Sequence, residues 1–153
     1  MPSSRELRQF VEDMGLVYEE DGFPRMAGRV AGWLLVCDPP HQTAAELAEA
    51  LGASGGSIST ATRLLIQCGC VERIAVPGQR GAAYRLRVQS SADVLGRALR
   101  RARAMRILLG QGLEILRDAT PERRQRLHDQ YEIHEFIERE IPALLERHGK
   151  ESE

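Results

Sequence analysis

The chain has 153 residues, of which 42% are hydrophobic and 28% are charged, with a formal net charge of −1 at neutral pH. This length and composition indicate one globular domain with its own hydrophobic core. No apolar run approaches the roughly 18 residues of a membrane span, and the first ten residues lack the apolar segment of a secretory signal, so we expect a cytoplasmic protein with no membrane partner.

Two helices are predicted before residue 40. Residues 4–18 carry apolar side chains at helical spacing, and the acidic run at 19–21 together with Gly22 is expected to end this helix. A second helix should begin near Pro24 and end at Asp38-Pro39-Pro40, because proline suits a first turn and the residue before a proline avoids helical geometry.

The stretch from Thr43 to Gln67 predicts a helix-turn-helix, two short helices joined by a tight turn. Thr43 with Glu46 forms a T-x-x-E capping box, and Gly52 is expected to end the first helix. Small and hydroxyl-bearing residues on the second helix would let it enter a DNA major groove, although a plain helical hairpin with a polar solvent face is the alternative. The predicted DNA contacts on this second helix are Ser54, Gly56, Ser57, Ser59, Thr60, Thr62 and Arg63.

After Gly69 the apolar period changes to two, which predicts strands at 71–76 and 83–88. The second strand should alternate, with Tyr84, Leu86 and Val88 inward and Arg85 and Arg87 outward. A glycine-rich turn joins the strands, and its Gln79 and Arg80 are predicted DNA contacts, since a wing arginine can reach the negative potential of a minor groove. A β-hairpin that merely covers the core would need no DNA.

The charges are unevenly distributed along the chain. Residues 1–53 have a net charge of −5, residues 54–117 of +8, and residues 118–153 of −4. The basic block begins at the second helix of the helix-turn-helix, where phosphate contacts would require it. This coincidence favours double-stranded DNA as the partner over a merely solvated basic face.

Two long helices are predicted at 91–117 and 121–148, with Pro142 expected to kink the second. Together with the first helix they carry more apolar surface than one small domain can cover, which predicts a homodimer whose recognition helices lie about 34 Å apart. The expected fold is mainly α with a small β-hairpin wing (α+β). We expect one domain over 1–153, with a winged helix-turn-helix core at 24–89 and dimerisation helices at 1–20 and 91–150.

Three segments carry a resemblance to a known family: GFPRMAGRVAGWLL at 22–35, ELAEALGASGGSISTATRLL at 46–65 and CGCVERIAVPGQRGAAYRL at 68–86. The chain resembles the MarR-type bacterial regulators, and among them most closely the GbsR-like branch. The resemblance implies a dimeric DNA-binding repressor or activator with intertwined terminal helices. By position it implies recognition-helix contacts from Ser54, Ser57, Ser59, Thr60 and Arg63, and a wing contact from Arg80. Where the family often has a lysine this chain has Gly55, so one phosphate contact is lost.

Some members of that family respond to a small-molecule effector held between the dimer helices and the winged helix. Here such a pocket would involve the helix after residue 91 and the side chains Tyr18, Phe23, Met26 and Trp33. The more ordinary role for each of these four is packing in the core. The seven aromatic residues are spread along the chain, so no aromatic cage and no specific ligand is predicted.

Two further groups have the residue types of a metal or redox site. Cys68 and Cys70, with Cys37, could bind metal or sense oxidants, but inert core cysteines are the simpler interpretation. His128 with Glu132, and His134 with Glu138, are spaced i, i+4 and could hold a metal, although surface ion pairs are favoured.

The chain shows no phosphate-binding loop, nucleotide fingerprint or Ser/His/Asp-like arrangement, so we expect neither an enzyme nor a cofactor. The prediction is a homodimeric DNA-binding transcriptional regulator, a repressor on a pseudo-palindromic operator, that a small ligand can tune. A winged-helix module that binds a protein partner is the alternative.

Overall fold

A computed structural model describes residues 3–151, which fall into two compact units. The first unit ends at Val88 and the second begins at Gln89. The first contains helices α1 (Ser4–Glu20), α2 (Arg25–Val36), α3 (Ala44–Leu51) and α4 (Gly55–Gln67) and strands β1 (Gln42–Thr43), β2 (Val71–Ala75) and β3 (Ala82–Leu86). The second contains helices α5 (Ser91–Ile115) and α6 (Pro121–Glu151). The predicted mainly helical fold with a small β-wing is confirmed.

Helix α1 begins with a capping box in which the Ser3 backbone N–H donates to the Glu6 carboxylate over 2.7 Å and the Ser3 hydroxyl accepts from the Glu6 N–H over 3.2 Å. The helix runs through Glu19 and Glu20, two residues beyond its predicted end. Acidic residues are good helix formers, so the helix ends only at the turn where Gly22 has a φ of +83°.

Helices α1 and α2 pack unusually close together because glycines lie at their contact. A Cβ atom built on Gly28 would lie 2.5 Å from the Met14 carbonyl oxygen, and one built on Gly15 would lie 2.9 Å from the Arg29 Cγ. Any larger residue at Gly28 would therefore collide with the backbone of α1. The sequence contains these glycines, but nothing in the helical pattern indicated that two helices cross there.

The core of the first unit lies between α2, α3 and α4, with β2 closing one side. Val30, Leu47, Ile58 and Leu65 are its largest fully buried side chains, and Val11 adds a contribution from α1. Ile58 is fully buried, as expected for the residue that holds the second helix of the helix-turn-helix against the first.

The sheet has three antiparallel strands in the order β1-β3-β2, one strand more than predicted. Gln42 of β1 pairs with Tyr84, and β2 pairs with β3 from Val71 opposite Leu86 to Ala75 opposite Ala82. The pairing ends at Leu86, so the prediction that Val88 points inward is wrong, and its side chain is 96% exposed.

The second unit is a helical hairpin. Ala102 of α5 and Ile141 of α6 are buried, and a Cβ on Gly112 would lie 3.2 Å from Leu127 Cδ1, so the two helices are in close contact at that glycine. Pro142 lies inside α6, which continues to Glu151. Within residues 3–151, no helix has both the length and the apolar character needed to cross a membrane.

Candidate nucleic-acid interface

Local hydrogen bonds set the geometry of the helix-turn-helix. The Thr43 N–H donates to Glu46 Oε2 over 2.6 Å and the Thr43 hydroxyl accepts from the Glu46 N–H over 3.2 Å, which starts α3. Gly52 then takes a left-handed conformation with a φ of +58°, and the Ala53 N–H donates to the Ala48 carbonyl over 2.9 Å. This closure of α3 directs the chain straight into α4, as predicted.

The first turn of α4 is open to solvent. Ser54 caps it, its hydroxyl accepting a hydrogen bond of 3.2 Å from the Ser57 N–H. A Cβ placed on Gly55 would meet no atom within 4 Å. The first backbone N–H groups of a helix have no partner inside it and carry the positive end of the helix dipole, so this bare turn has the chemistry of a phosphate-binding end.

The outward face of α4 continues this polar surface. Arg63 is exposed and its Nη2 donates to the Ser59 hydroxyl over 3.4 Å. The exposed residues of the predicted contact set are Ser54, Gly56, Ser57, Ser59, Thr60 and Arg63. Hydroxyl and guanidinium groups presented along one helix face match the donors and acceptors that phosphates and base edges offer.

Thr62 does not belong to this face, and its predicted exposure is wrong. Its side chain is 2% exposed, and its hydroxyl donates to the Ile58 carbonyl over 2.8 Å. Thr62 follows Ile58 by one helical turn, so both residues face the core. The hydroxyl is satisfied by the backbone of its own helix and is unavailable to a ligand.

The wing is the turn between β2 and β3. Gly78 and Gly81 take left-handed conformations, with φ values of +80° and +86°, and between them lie the predicted contacts Gln79, which is half-buried, and Arg80, which is exposed. Within the described part of the chain Arg80 has no hydrogen-bond or ion-pair partner. The strand arginine Arg85, by contrast, forms an ion pair with Glu72 across the hairpin.

The basic block of the sequence divides between the two units. Between residue 54 and the end of the first unit the sequence has one acidic residue, Glu72. The same segment has five arginines: Arg63, Arg73, Arg80, Arg85 and Arg87. In the second unit, Glu138 binds Arg106 and also Arg103, the latter over 3.1 Å. The Arg106 and Arg103 guanidinium groups hold the pKa of the Glu138 carboxyl below its ordinary value of 4.5. Part of the basic charge on α5 is therefore neutralised within the second unit.

The four predicted effector-pocket residues lie in the first unit, where Tyr18, Met26 and Trp33 pack against the core. The Tyr18 and Phe23 rings lie 5.6 Å apart, and burial, with the Cys70 and Cys68 thiols nearby, raises the pKa of the Tyr18 phenol. Met26 packs against the core, and the Trp33 indole N–H donates to Gln42 Oε1 over 3.4 Å.

A cavity of about 600 Å³ does open between α1, α2 and α3. Trp33 is the only one of the four predicted effector residues that lines it. Its other walls combine apolar with charged groups, among them Leu7, Val11, Leu51, Arg8, Glu12 and Arg29.

Glu12 is a functional candidate that sequence reasoning missed. Arg29 Nε donates to its Oε1 over 2.8 Å, and Arg25 Nη2 donates to its Oε2 over 3.3 Å. The arginines are spaced i, i+4 on α2, which indicated a shared face, but their acceptor lies on another helix and no local pattern pointed to it.

The candidate cysteines lie in the first unit, and the candidate histidines His128 and His134 lie on α6 of the second. Cys37, Cys68 and Cys70 are half-buried free thiols, and burial raises the pKa of Cys37. On α6, His128, Asp129 and Glu132 bring their ligand atoms within 4.8 Å of one another on an exposed surface. Glu138 is held by the α5 arginines, and His134 Nδ1 lies 2.8 Å from the Gln130 carbonyl.

Known proteins share both halves of this architecture. Residues 21–80 match a model of the MarR family, and residues 90–151 match a model described as an MmpR5-like MarR family transcriptional regulator. The chain is 40% identical to the HTH-type transcriptional regulator MmpR5 of Mycobacterium tuberculosis (strain ATCC 25618 / H37Rv) over 150 residues, which cover 98% of this chain and 91% of that protein. A solved structure titled as a transcriptional regulator superposes with a TM-score of 0.75 and 41% identity, covering 94% of this chain and 98% of the other.

Proposed function

Because the chain belongs to the MarR family of DNA-binding transcriptional regulators, we propose that it acts as a homodimeric repressor on a pseudo-palindromic operator. The observation that carries the proposal is the exposed polar surface of α4, which does not pack against the core of the first unit. Its first turn, with Gly55 and Gly56 after the Ser54 cap, and its exposed face with Ser57, Ser59 and Thr60 lie on the same side as Arg63 and are open to solvent. The alternative of a module that binds only a protein partner is not favoured.

In this proposal α4 enters the major groove and its N-terminal turn lies against the backbone. The contacts to bases and phosphates come from the outward residues, and Thr62 contributes only packing. The wing places Arg80 in the neighbouring minor groove, with Gln79 beside it. Helix α4 and the wing contribute differently: backbone and minor-groove contacts supply affinity, whereas base-edge contacts in the major groove supply sequence specificity.

The homodimer is supported by apolar side chains that each unit leaves exposed. On α1 these are Phe10, Leu16 and Val17, and on the second unit they are Val94, Ile107, Leu108, Ile115, Ile133, Phe136 and Leu144. Monomeric proteins rarely leave so many large apolar groups uncovered along long helices. A two-fold dimer would cover them and place two copies of α4 about one DNA turn apart.

The proposal includes a small-molecule effector that binds in the first unit. The cavity of about 600 Å³ between α1, α2 and α3 has the size of a ligand pocket, and it lies beside the helix-turn-helix. A ligand there would weaken DNA binding if it favoured a dimer whose α4 helices are wrongly spaced. Tyr18, Phe23 and Met26 would act as packing residues in this version, and Trp33 as a wall.

Three narrower assignments stay predictions: the branch of the family, the location in the cell and the sign of regulation. The GbsR-like branch depends on the motif at 22–35, whereas the similarities found describe an MmpR5-like regulator. The cytoplasmic location follows from the proposed binding to operator DNA on a bacterial chromosome. Repression is the proposed sign of regulation, because a dimer seated on a promoter excludes the polymerase.

The proposal is tested by light scattering on the protein alone and in complex with a duplex that it selects from a random pool. We expect twice the chain mass of 17.1 kDa for the free protein, and one such dimer per selected duplex with two-fold related half-sites. A free monomer that selects an unrepeated half-site would contradict the homodimeric operator.

A further inference from the structure

The Arg29 side chain connects three helices of the first unit. Its Nε donates to Glu12 Oε1 on α1 over 2.8 Å, and its Nη2 donates to the Leu51 carbonyl, the last residue of α3, over 2.9 Å. Its Nη1 also lies 3.7 Å from the Met26 sulfur. The side chain is only 20% exposed, and these partners on α1, α2 and α3 fix the orientation of the guanidinium.

The Leu51 carbonyl is an informative acceptor because of where it lies. The last carbonyls of a helix have no partner inside it and carry the negative end of the dipole, so a guanidinium there is doubly favourable. Only Gly52, Ala53 and the cap Ser54 separate Leu51 from the first residue of α4. Arg29 thus fixes the point from which the recognition helix leaves.

The other end of the connection is equally rigid. Glu12 lies in the middle of α1, and α1 is locked onto α2 by the close approach at Gly28, where a Cβ would lie 2.5 Å from the Met14 backbone. A displacement of α1 is therefore carried to Arg29, because neither backbone can slide past the other without collision.

We propose that Arg29 is a positioning residue that transmits the placement of α1 to the start of α4 and so sets the spacing of the two recognition helices in the dimer. The inference depends on the proposed homodimer, in which α1 belongs to the interface. Arg29 itself touches no DNA in this scheme. It acts through Leu51, and a loss of the guanidinium frees α4 from the interface while leaving its DNA-contacting face unchanged.

Arg25 supplies a matched control. It lies one turn earlier on α2 and donates to the same carboxylate, Glu12 Oε2, over 3.3 Å, but its described contacts do not include α3 and its side chain is 48% exposed. Arg25→Met and Arg29→Met therefore remove the same charge and one contact to the same acid. Only Arg29→Met also removes the hydrogen bond to the Leu51 carbonyl at the end of α3.

The test measures the affinity of each protein variant for three duplexes. One is the duplex that the wild-type protein selects, and the other two have one base pair added or removed between its half-sites. Each base pair rotates one half-site by about 35° around the duplex. We expect the wild type to reject both derivatives. Arg29→Met should lose about tenfold in affinity for the selected duplex and most of its discrimination between spacings, whereas Arg25→Met should keep its spacing ratios within about twofold.

Thermal unfolding of each variant separates positioning from stability. If Arg29→Met lowers the melting temperature but keeps the wild-type spacing ratios, Arg29 is only structural and the inference is wrong. If Arg29→Met fails to fold, Glu12→Gln replaces it, because this variant keeps the Arg29–Leu51 contact and removes the negative charge that Arg29 binds on α1. Glu12→Gln must then reduce the discrimination between spacings. Unchanged spacing ratios would overturn the inference. A wild-type protein indifferent to spacing would instead contradict the homodimeric operator itself, and the inference with it.

Discussion

The Thr62 hydroxyl donates a hydrogen bond of 2.8 Å to the Ile58 carbonyl one turn earlier on α4, and both side chains are buried. The recognition helix is thereby divided into two faces. One face, centred on Ile58, carries the packing of the helix-turn-helix. The other, which includes Thr60 and Arg63, is left free for a ligand.

This division predicts opposite results for two adjacent threonines. Thr62→Val should leave DNA affinity within about twofold and change the free energy of unfolding by no more than about 1 kcal/mol, because it removes only the hydroxyl's bonds to carbonyls of its own helix and keeps the shape. Thr60→Val should weaken binding to the selected duplex and leave stability unchanged, since its side chain is exposed. Titrations and urea unfolding of both variants test the pair. Equal losses of affinity would contradict the two faces.

Arg63 on α4 and Arg80 on the wing should each contribute to DNA binding. We expect Arg63→Ala or Arg80→Ala to cost about 1–3 kcal/mol of binding to the selected duplex while the protein keeps its oligomeric state. Arg123→Ala, which removes an exposed arginine in the first turn of α6, is the control and should bind as the wild type does. Full affinity in both test variants would remove these two residues from the interface.

Gly28 should be intolerant of any side chain. Gly28→Ala places a methyl group 2.5 Å from the Met14 carbonyl oxygen, so α1 and α2 must separate, at a cost of about 1–3 kcal/mol of stability or more. Gly55→Ala is the matched change, because its Cβ meets nothing within 4 Å and alanine favours a helix by up to about 1 kcal/mol. Thermal unfolding should therefore shift in opposite directions for the two variants, and a stable Gly28→Ala protein would contradict the close approach.

The pairing of Glu138 with Arg106 and Arg103 predicts a pH dependence in the second unit. These partners hold the folded-state pKa of Glu138 below 4.5, so the unfolded state takes up its proton first as the pH falls. The stabilisation is complete above about pH 4.5 and is lost as the pH drops through the folded-state pKa. The unfolding free energy of Glu138→Gln should accordingly fall less steeply below pH 4.5 than that of the wild type. Parallel curves would show that the ion pairs contribute nothing.

The helix-turn-helix could be predicted from sequence because its signals are local. The Thr43–Glu46 capping box and the left-handed Gly52 each depend on residues within one helical turn. The alternation of apolar and polar residues in the two strands predicted the wing. Strand β1 was missed because its two residues, Gln42 and Thr43, become a strand only by pairing with Tyr84 and Ala83 of β3, which are distant in sequence.

The candidate site was predicted less completely than the fold. A helical wheel of α4 leaves Thr62 at the border of the apolar stripe, and only its packing showed that it faces inward. The contacts of Arg29 with Glu12 and Leu51 join three helices whose relative positions are decided by packing, and such contacts have no local signature. The effector residues were predicted from the position of the ligand site in the resembling family, whereas the walls of the cavity between α1, α2 and α3 depend on how these helices pack.

The most direct test of the central claim is a fluorescence-anisotropy titration of the protein against labelled DNA from upstream of its own gene, with an unrelated duplex as control, at two salt concentrations. A sequence-specific regulator should bind its own promoter DNA more tightly than the control at moderate salt, and both affinities should fall as salt rises because arginines displace counterions from phosphates. Equal and weak binding to both duplexes, erased by salt, would contradict the account and leave α4 with a merely basic surface.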